Sequence, residues 1–172
     1  CSGDAGIYAM GALVYELLDR DEVDGGVSDA ARRVQIVSAP GISALQAAAA
    51  RSGAILGHDF CAISLSDLLT PWEAIEKRIH AAGAGDFVVA FYNPVSKRRR
   101  TQLAAAREIL MQYRSGDVPV ILASSLGRPD EKIQYRTLGG LDIDEVDMLT
   151  TVMVGASSSK RLDLGRGSAV YT

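Results

Sequence analysis

The run Phe87-Val88-Val89-Ala90-Phe91 is apolar at every residue and halts at Tyr92-Asn93-Pro94. A segment this short with no polar face is a strand covered on both sides. The residue before a proline is driven out of the helical region, so the strand ends abruptly. Helices are the usual cover for such a strand, and the flanking sequence supplies them. Thr70-Pro71-Trp72-Glu73 has the pattern of a capping box, with Thr70 as N-cap and proline at the first helical position, opening a helix to about Ala82. On the other side, Leu103, Ala106, Leu110 and Tyr113 keep helical spacing.

The same alternation extends along the chain. Ile7, Met10, Leu13, Val14, Leu17 and Leu18 mark an amphipathic helix, and Asp19 to Asp29 is a polar loop. Val34 to Val37 is a short β-branched run, and Ser43 caps an alanine-rich helix that Gly53 ends. His58 to Leu65, Val120 to Ala123 and Thr150 to Val154 read as further strands; Ile133 and Tyr135 alternate with polar neighbours, as in an antiparallel strand. Gly155 to Gly167 reads as a Ser/Gly/Arg-rich turn region. The pattern predicts an α/β fold with a mixed sheet in its second half. A glycine at each end of residues 53–57 places the domain boundary there, dividing residues 1–57 from 58–172.

With 172 residues the chain is one ordinary domain or two small ones. Apolar residues at 48% and charged residues at 23% exclude a disordered or low-complexity chain. The longest apolar run outside glycine has six residues, Phe87 to Tyr92, against the roughly 20 of a membrane span. A net charge of −3 argues against a general nucleic-acid footprint, so neither nucleic acid nor membrane is expected as a partner. Two cysteines, Cys1 and Cys61, make no disulfide framework and suit the cytoplasm. The chain opens directly on the turn Cys1-Ser2-Gly3-Asp4, so a preceding strand is expected; no signal peptide fits the first residues.

In open α/β sheets ligands collect beyond the carboxyl ends of strands. Four turns qualify by pattern: Ser2 to Ile7, Pro40 to Ala44, Tyr92-Asn93-Pro94 and Val154-Gly155-Ala156. Each alone is also the ordinary punctuation of an α/β chain; their joint occurrence is the signal. No G-x-G-x-x-G follows a strand, and Gly155 to Lys160 lacks the second glycine of a phosphate loop, which counts against dinucleotide and nucleoside-triphosphate sites.

Ser2-Gly3-Asp4-Ala5-Gly6-Ile7-Tyr8, Pro40 to Ala47, the block Gly57 to Glu73, and Tyr92-Asn93-Pro94 together resemble the tetrapyrrole (corrin/porphyrin) methylases, over nearly the whole chain. The Gly57 to Glu73 block is most similar to members that methylate C17 of precorrin-3B and contract its ring to precorrin-4, in cobalamin biosynthesis. The resemblance implies a two-domain α/β/α architecture, S-adenosylmethionine bound in the cleft between the domains, a small-molecule tetrapyrrole substrate and a cytoplasmic homodimer. It departs from the family at its start, where the usual strand and Pro/Gly cofactor loop have no match. An Arg-Asn pair near Ser124-Ser125 and an asparagine at Ala156 are replaced by smaller residues.

By motif, the resemblance implies cofactor contacts at Gly3, Asp4, Ile7, Ser43, Ala44, Asn93, Leu126 and Gly155. Methyl transfer to an electron-rich carbon rests on positioning. Ring contraction adds proton transfer, for which His58, Asp59 and Tyr92 are the candidates. His58 is equally read as a satisfied strand-start histidine, and Asp59 as a turn cap. His58-x-x-Cys61 has too few companions for a metal site, so no metal is expected. Lys97, Arg98, Arg99 and Arg100 form a solvated helix start or meet the carboxylates of a tetrapyrrole. Alternative readings are a methylase acting at another precorrin carbon or on a protein residue, and a non-catalytic fragment lacking the N-terminal cofactor loop.

Overall fold

The computed structural model describes residues 3–97, 99–165 and 167–172. The expected substrate contact Arg98, and Cys1 and Ser2 of the first turn, lie outside the described residues. The chain divides into two compact units, Cys1–Ser43 and Ala44–Thr172.

The first unit holds α1 (Met10–Asp19), a single 3-10 turn over Glu22–Asp24, and α2 (Asp29–Arg32). Ser28 caps α2, its Oγ accepting the Ala31 N–H at 3.4 Å. The apolar spacing of α1 is as expected, yet none of its residues is buried. Val34 to Val37, expected as a strand, is irregular chain. No strand occurs among the described residues of this unit, and a lone run without a neighbour has no partner for its N–H and C=O groups.

The second unit runs α3 (Ala44–Ser52), β1 (Gly53–Ala54), β2 (Phe60–Ser64), α4 (Trp72–Ala84), β3 (Val88–Tyr92), α5 (Thr101–Met111), β4 (Pro119–Ser124), β5 (Lys132–Thr137), β6 (Thr150–Val154), β7 (Lys160–Leu164) and β8 (Gly167–Tyr171). Five strands form one sheet in the order β2-β3-β6-β4-β5, and β1-β8-β7 form a second. The large sheet is mixed. β2 and β3 are parallel, while β6 lies between β3 and β4 and runs antiparallel to both. The carboxyl ends of β2, β3 and β4, at Ser64, Tyr92 and Ser124, therefore share one edge with the start of β6 at Thr150.

Alternate residues of the strands face opposite layers. Val89, Phe91, Val120 and Leu122 pack with Ile75, Ile79, Leu103 and Leu110 of α4 and α5. Val88, Ala90, Ile121 and Ala123 pack with Leu45, Ala48 and Ala49 of α3. The alanine-rich helix expected before Gly53 thus belongs to the second unit, as does the short strand β1, which the sequence reading did not expect. β1 is held there by parallel pairing of Gly53 and Ala54 with Val170 and Tyr171. A Cβ on Gly53 would stand 2.4 Å from the Val170 carbonyl oxygen, and its φ of +129° is a conformation that glycine alone adopts readily.

The start of α4 departs from the capping-box expectation. Pro71 is the N-cap and no side chain caps the helix; the Pro71 carbonyl accepts from Ala74 and Ile75 at 3.0 and 3.4 Å. Gly155 to Gly167, expected as turn, includes the strand β7, paired antiparallel with β8. Every residue of β7 is exposed, so a polar edge strand carried no apolar run to betray it.

Arg114 pins the far end of this unit. Its side chain is 0% exposed and donates to the carbonyls of Phe87, Gly155 and Ala82. Asp86, with a left-handed φ of 53°, lies 3.7 Å from the guanidinium and also receives the Ser157 N–H at 2.9 Å. Burial lowers the pKa of Arg114 and Asp86 acts in the opposite direction.

Candidate functional site

Four chain segments meet at the strand-end edge of the large sheet. Asn93 follows β3 in a left-handed conformation, φ 49°, which asparagine tolerates better than most residues. Its Nδ2 donates to Ser64 Oγ at the end of β2 over 3.1 Å, and its carbonyl receives Arg99 Nη2 at 2.7 Å. Arg99 is 9% exposed, is joined to Ser96 by two backbone hydrogen bonds, and leaves Nε without a partner. Its Nη1 stands 3.8 Å from Asp67 Oδ1, whose other oxygen receives Gln102 Nε2 at 2.8 Å. Asn93, Ser96, Arg99, Asp67 and Gln102 line an open cleft of about 620 Å³, together with Ser66, Leu68, Lys97 and Met148.

On the α3 side of the same edge, Tyr92 Oη accepts the Leu45 N–H at 2.9 Å, which ties the first turn of α3 to the end of β3. Ala44 opens that helix. Tyr92 and Leu126 are both half-buried against the α3 cluster. Ser125, φ 51°, makes a second left-handed turn here, held by its N–H on the Leu149 carbonyl and its Oγ on Asp130.

The expected site residues therefore separate into groups. Ala44, Tyr92, Asn93, Leu126, Lys97, Arg99 and Arg100 belong to the strand-end edge or the loop leading from it. Gly155 does not: β6 is antiparallel to β3, so Gly155 lies at the opposite edge, where its N–H bonds the Pro119 carbonyl and its own carbonyl receives Arg114. His58 and Asp59 also fall at that opposite edge. They are exposed and precede β2, and the Asp59 carbonyl receives the Val88 N–H at the start of β3. A strand of this length separates them from Tyr92 by at least about 13 Å. The structure does not gather His58, Asp59 and Tyr92 into one catalytic group.

The basic run is likewise divided. Arg99 is a buried tie, Arg100 is paired with Asp144 at 2.8 Å, and Lys97 is exposed at the cleft. Cys61 is half-buried on β2 and burial raises its pKa. Asp67 and Gln102 are cleft residues, and Ser64 the partner of Asn93, that the sequence reading did not single out. Asp67 was identifiable by the same rule that selected Asn93, since it follows the carboxyl end of a parallel strand.

In the first unit, Asp4 binds two turns together. Its Oδ1 receives the Gly6 N–H at 2.8 Å and its Oδ2 the Gly41 N–H at 3.0 Å. The turns touch so closely that a Cβ on Gly41 would meet the Gly3 carbonyl oxygen at 2.1 Å. Both carboxylate oxygens of Asp4 are thereby engaged with backbone. Ile7 donates its N–H to the Asp4 carbonyl at 3.3 Å, and Ser43 ends the unit.

A family model for the tetrapyrrole (corrin/porphyrin) methylases matches residues 1–142. The chain belongs to this family. Among its relatives, a precorrin-3B C(17)-methyltransferase from Sinorhizobium sp is 44% identical over 171 residues, covering 99% of this chain and 65% of that protein. A probable cobalt-factor III C(17)-methyltransferase from Salmonella typhimurium is 49% identical over 154 residues, covering 90% of this chain and 60% of that protein. The crystal structure of the methyltransferase CobJ superposes with a TM-score of 0.87 at 40% identity, over 100% of this chain and 67% of that one. The chain thus spans somewhat under two thirds of these two curated relatives. Its α/β architecture with mixed sheets agrees with the family fold.

A sulfonium nucleoside with an amino-acid tail needs small or flat side chains beside polar groups, and the alanine at the start of α3, the flat Tyr92 ring and the Asn93 amide at this edge are side chains of that kind.

Proposed function

We propose that this chain forms part of an S-adenosylmethionine-dependent enzyme that methylates a precorrin at C17 and contracts its ring, converting precorrin-3B to precorrin-4 in cobalamin biosynthesis. The observation that carries the reading is the 44% identity, across 99% of the chain, to a relative named for that reaction. S-adenosylmethionine, when bound, supplies the methyl group. In the second unit Ala44, Asn93 and Leu126 are the proposed cofactor contacts; Gly3, Asp4, Ile7 and Ser43 rest on their motifs alone. Gly155 is left out because of its edge.

The chain's own residues have separable tasks. Tyr92 orients α3 through Leu45, Arg99 fixes the Asn93 carbonyl, and Lys97 meets a carboxylate of the macrocycle. Arg100 shares its charge with Asp144 and contributes less. A homodimer and a cytoplasmic location accompany the reading.

Calorimetric titration with S-adenosylhomocysteine tests the cofactor assignment. Saturable binding is expected, and Asn93→Ala weakens it. Absence of binding down to a Kd of about 1 mM, roughly −4 kcal/mol, overturns it.

A further inference from the structure

We infer that Asp67 is the proton-handling carboxylate of the strand-end cleft, in place of His58 and Asp59; this rests on the methylase reading above. The cleft lining named earlier contains one carboxylate, Asp67, and no histidine. Its side chain is 33% exposed, so a ligand in the cleft reaches it without displacing the core. It is also held in place. Gln102 Nε2 engages Oδ2 at 2.8 Å, while Oδ1 has only the Arg99 guanidinium at 3.8 Å, too long for a hydrogen bond, among the described residues. One oxygen is thus anchored and the other remains available to accept. The same Arg99 holds the Asn93 carbonyl, so the carboxylate is positioned by the network that shapes the end of β3. Lys97 and Arg99 are the other charged groups lining the cleft.

The chemistry requires such a group. A macrocycle that receives a methyl group from a sulfonium donor gains one positive charge and must release one proton to return to its starting charge. Asp67 Oδ1 accepts that proton, the C–H or O–H electron pair stays on the macrocycle, and the resulting carboxylic acid passes the proton to water. A base positioned in this way contributes typically 10²–10⁴-fold in rate.

Two measurements on the full chain decide the matter. The first is carboxyl ¹³C NMR with uroporphyrin III, a polycarboxylate macrocycle, as the probe. Its binding is expected to shift the Asp67 resonance, because the probe's carboxylates come to lie beside it, while the Asp59 resonance stays unmoved. Binding of the probe without a shift at Asp67, or with a shift at Asp59 instead, overturns the assignment. Failure of the probe to bind at all overturns the substrate reading together with it.

The second is single-turnover conversion of precorrin-3B by Asp67→Asn. The rate is expected to fall 10²–10⁴-fold with loss of its acid limb, while uroporphyrin affinity changes less than about threefold, and Asp67→Glu recovers part of the rate. An unchanged rate, or rate and affinity lost in equal measure, overturns a proton-transfer role. Because asparagine keeps the acceptor for Gln102, unfolding of the variant is not expected, and a thermal melt checks it.

Discussion

Leu13 in α1 and Leu110 in α5 occupy the apolar stripes of two helices with similar patterning, yet the first is 44% exposed and the second 0%. Periodicity specifies which face of a helix is apolar, and it does so equally well in both. Burial needs a surface opposite that face. The second unit provides one, because the buried strands β3, β4 and β6 lie between two helical layers. The first unit has no strand among its described residues, and its apolar side chains, such as Ile7, Met10 and Val37, remain exposed. The contrast is between a stripe that is matched and one that is only written.

The strongest way to break that contrast is a pair of truncations. Leu110→Ala is expected to cost about 2–5 kcal/mol, through lost transfer energy and a cavity, measured by chemical denaturation. Leu13→Ala is expected to stay within about 0.5 kcal/mol. A comparable loss from Leu13→Ala would mean that α1 is covered in solution, and the two units would no longer differ.

A smaller effect sharpens it at the polar end of the second unit. Arg114→Leu leaves three carbonyls and Asp86 without their cation, and a loss of about 2–4 kcal/mol in the same assay is expected. A neutral result would place the stability of that edge in its apolar packing alone.

The smallest effect concerns the first unit, where a carboxylate does the joining that a core does elsewhere. Hydrogen bonds from the Gly41 and Gly6 backbone hold the Asp4 carboxyl below its usual value of 3.8. Its contribution is therefore fully present above about pH 4 and drains away as pH falls through the lower folded value. Carboxyl NMR should show an Asp4 midpoint below 3.8, and Asp4→Asn should abolish the acid-induced change in the Gly41 amide. A midpoint at the usual value would mean that the two turns are not clipped in solution.

Much of this architecture was legible in the residues. Phe87 to Phe91, Val120 to Ala123 and Thr150 to Val154 announce buried strands because no charged residue interrupts them, and all three formed. Val34 to Val37 has an equally good β-branched signal, but pairing is a property of a neighbour, and the run does not contain one. The strand β7 failed in the opposite sense, being exposed throughout, with three charged residues among its five, and held by its hairpin partner. At the site, motif alone selected Asn93 and the loop after it. Strand direction is what motif could not give. Gly155, His58 and Asp59 sit beside strand ends in sequence, yet the antiparallel course of β6 and the position of two of them ahead of β2 put all three on the edge opposite Tyr92 and Asn93.

The placement of β6 also bears on how the molecule is made. β3 and β4 do not pair with each other; each pairs with β6, which is later in the chain than either. During synthesis the β2-β3 and β4-β5 pairs emerge first, each with an open inner edge, and the sheet closes only when Thr150–Val154 leaves the ribosome. Until then two apolar half-sheets await the same strand, so the slow step of folding and the window for misassociation both belong to the arrival of five residues near the end of the sheet's sequence.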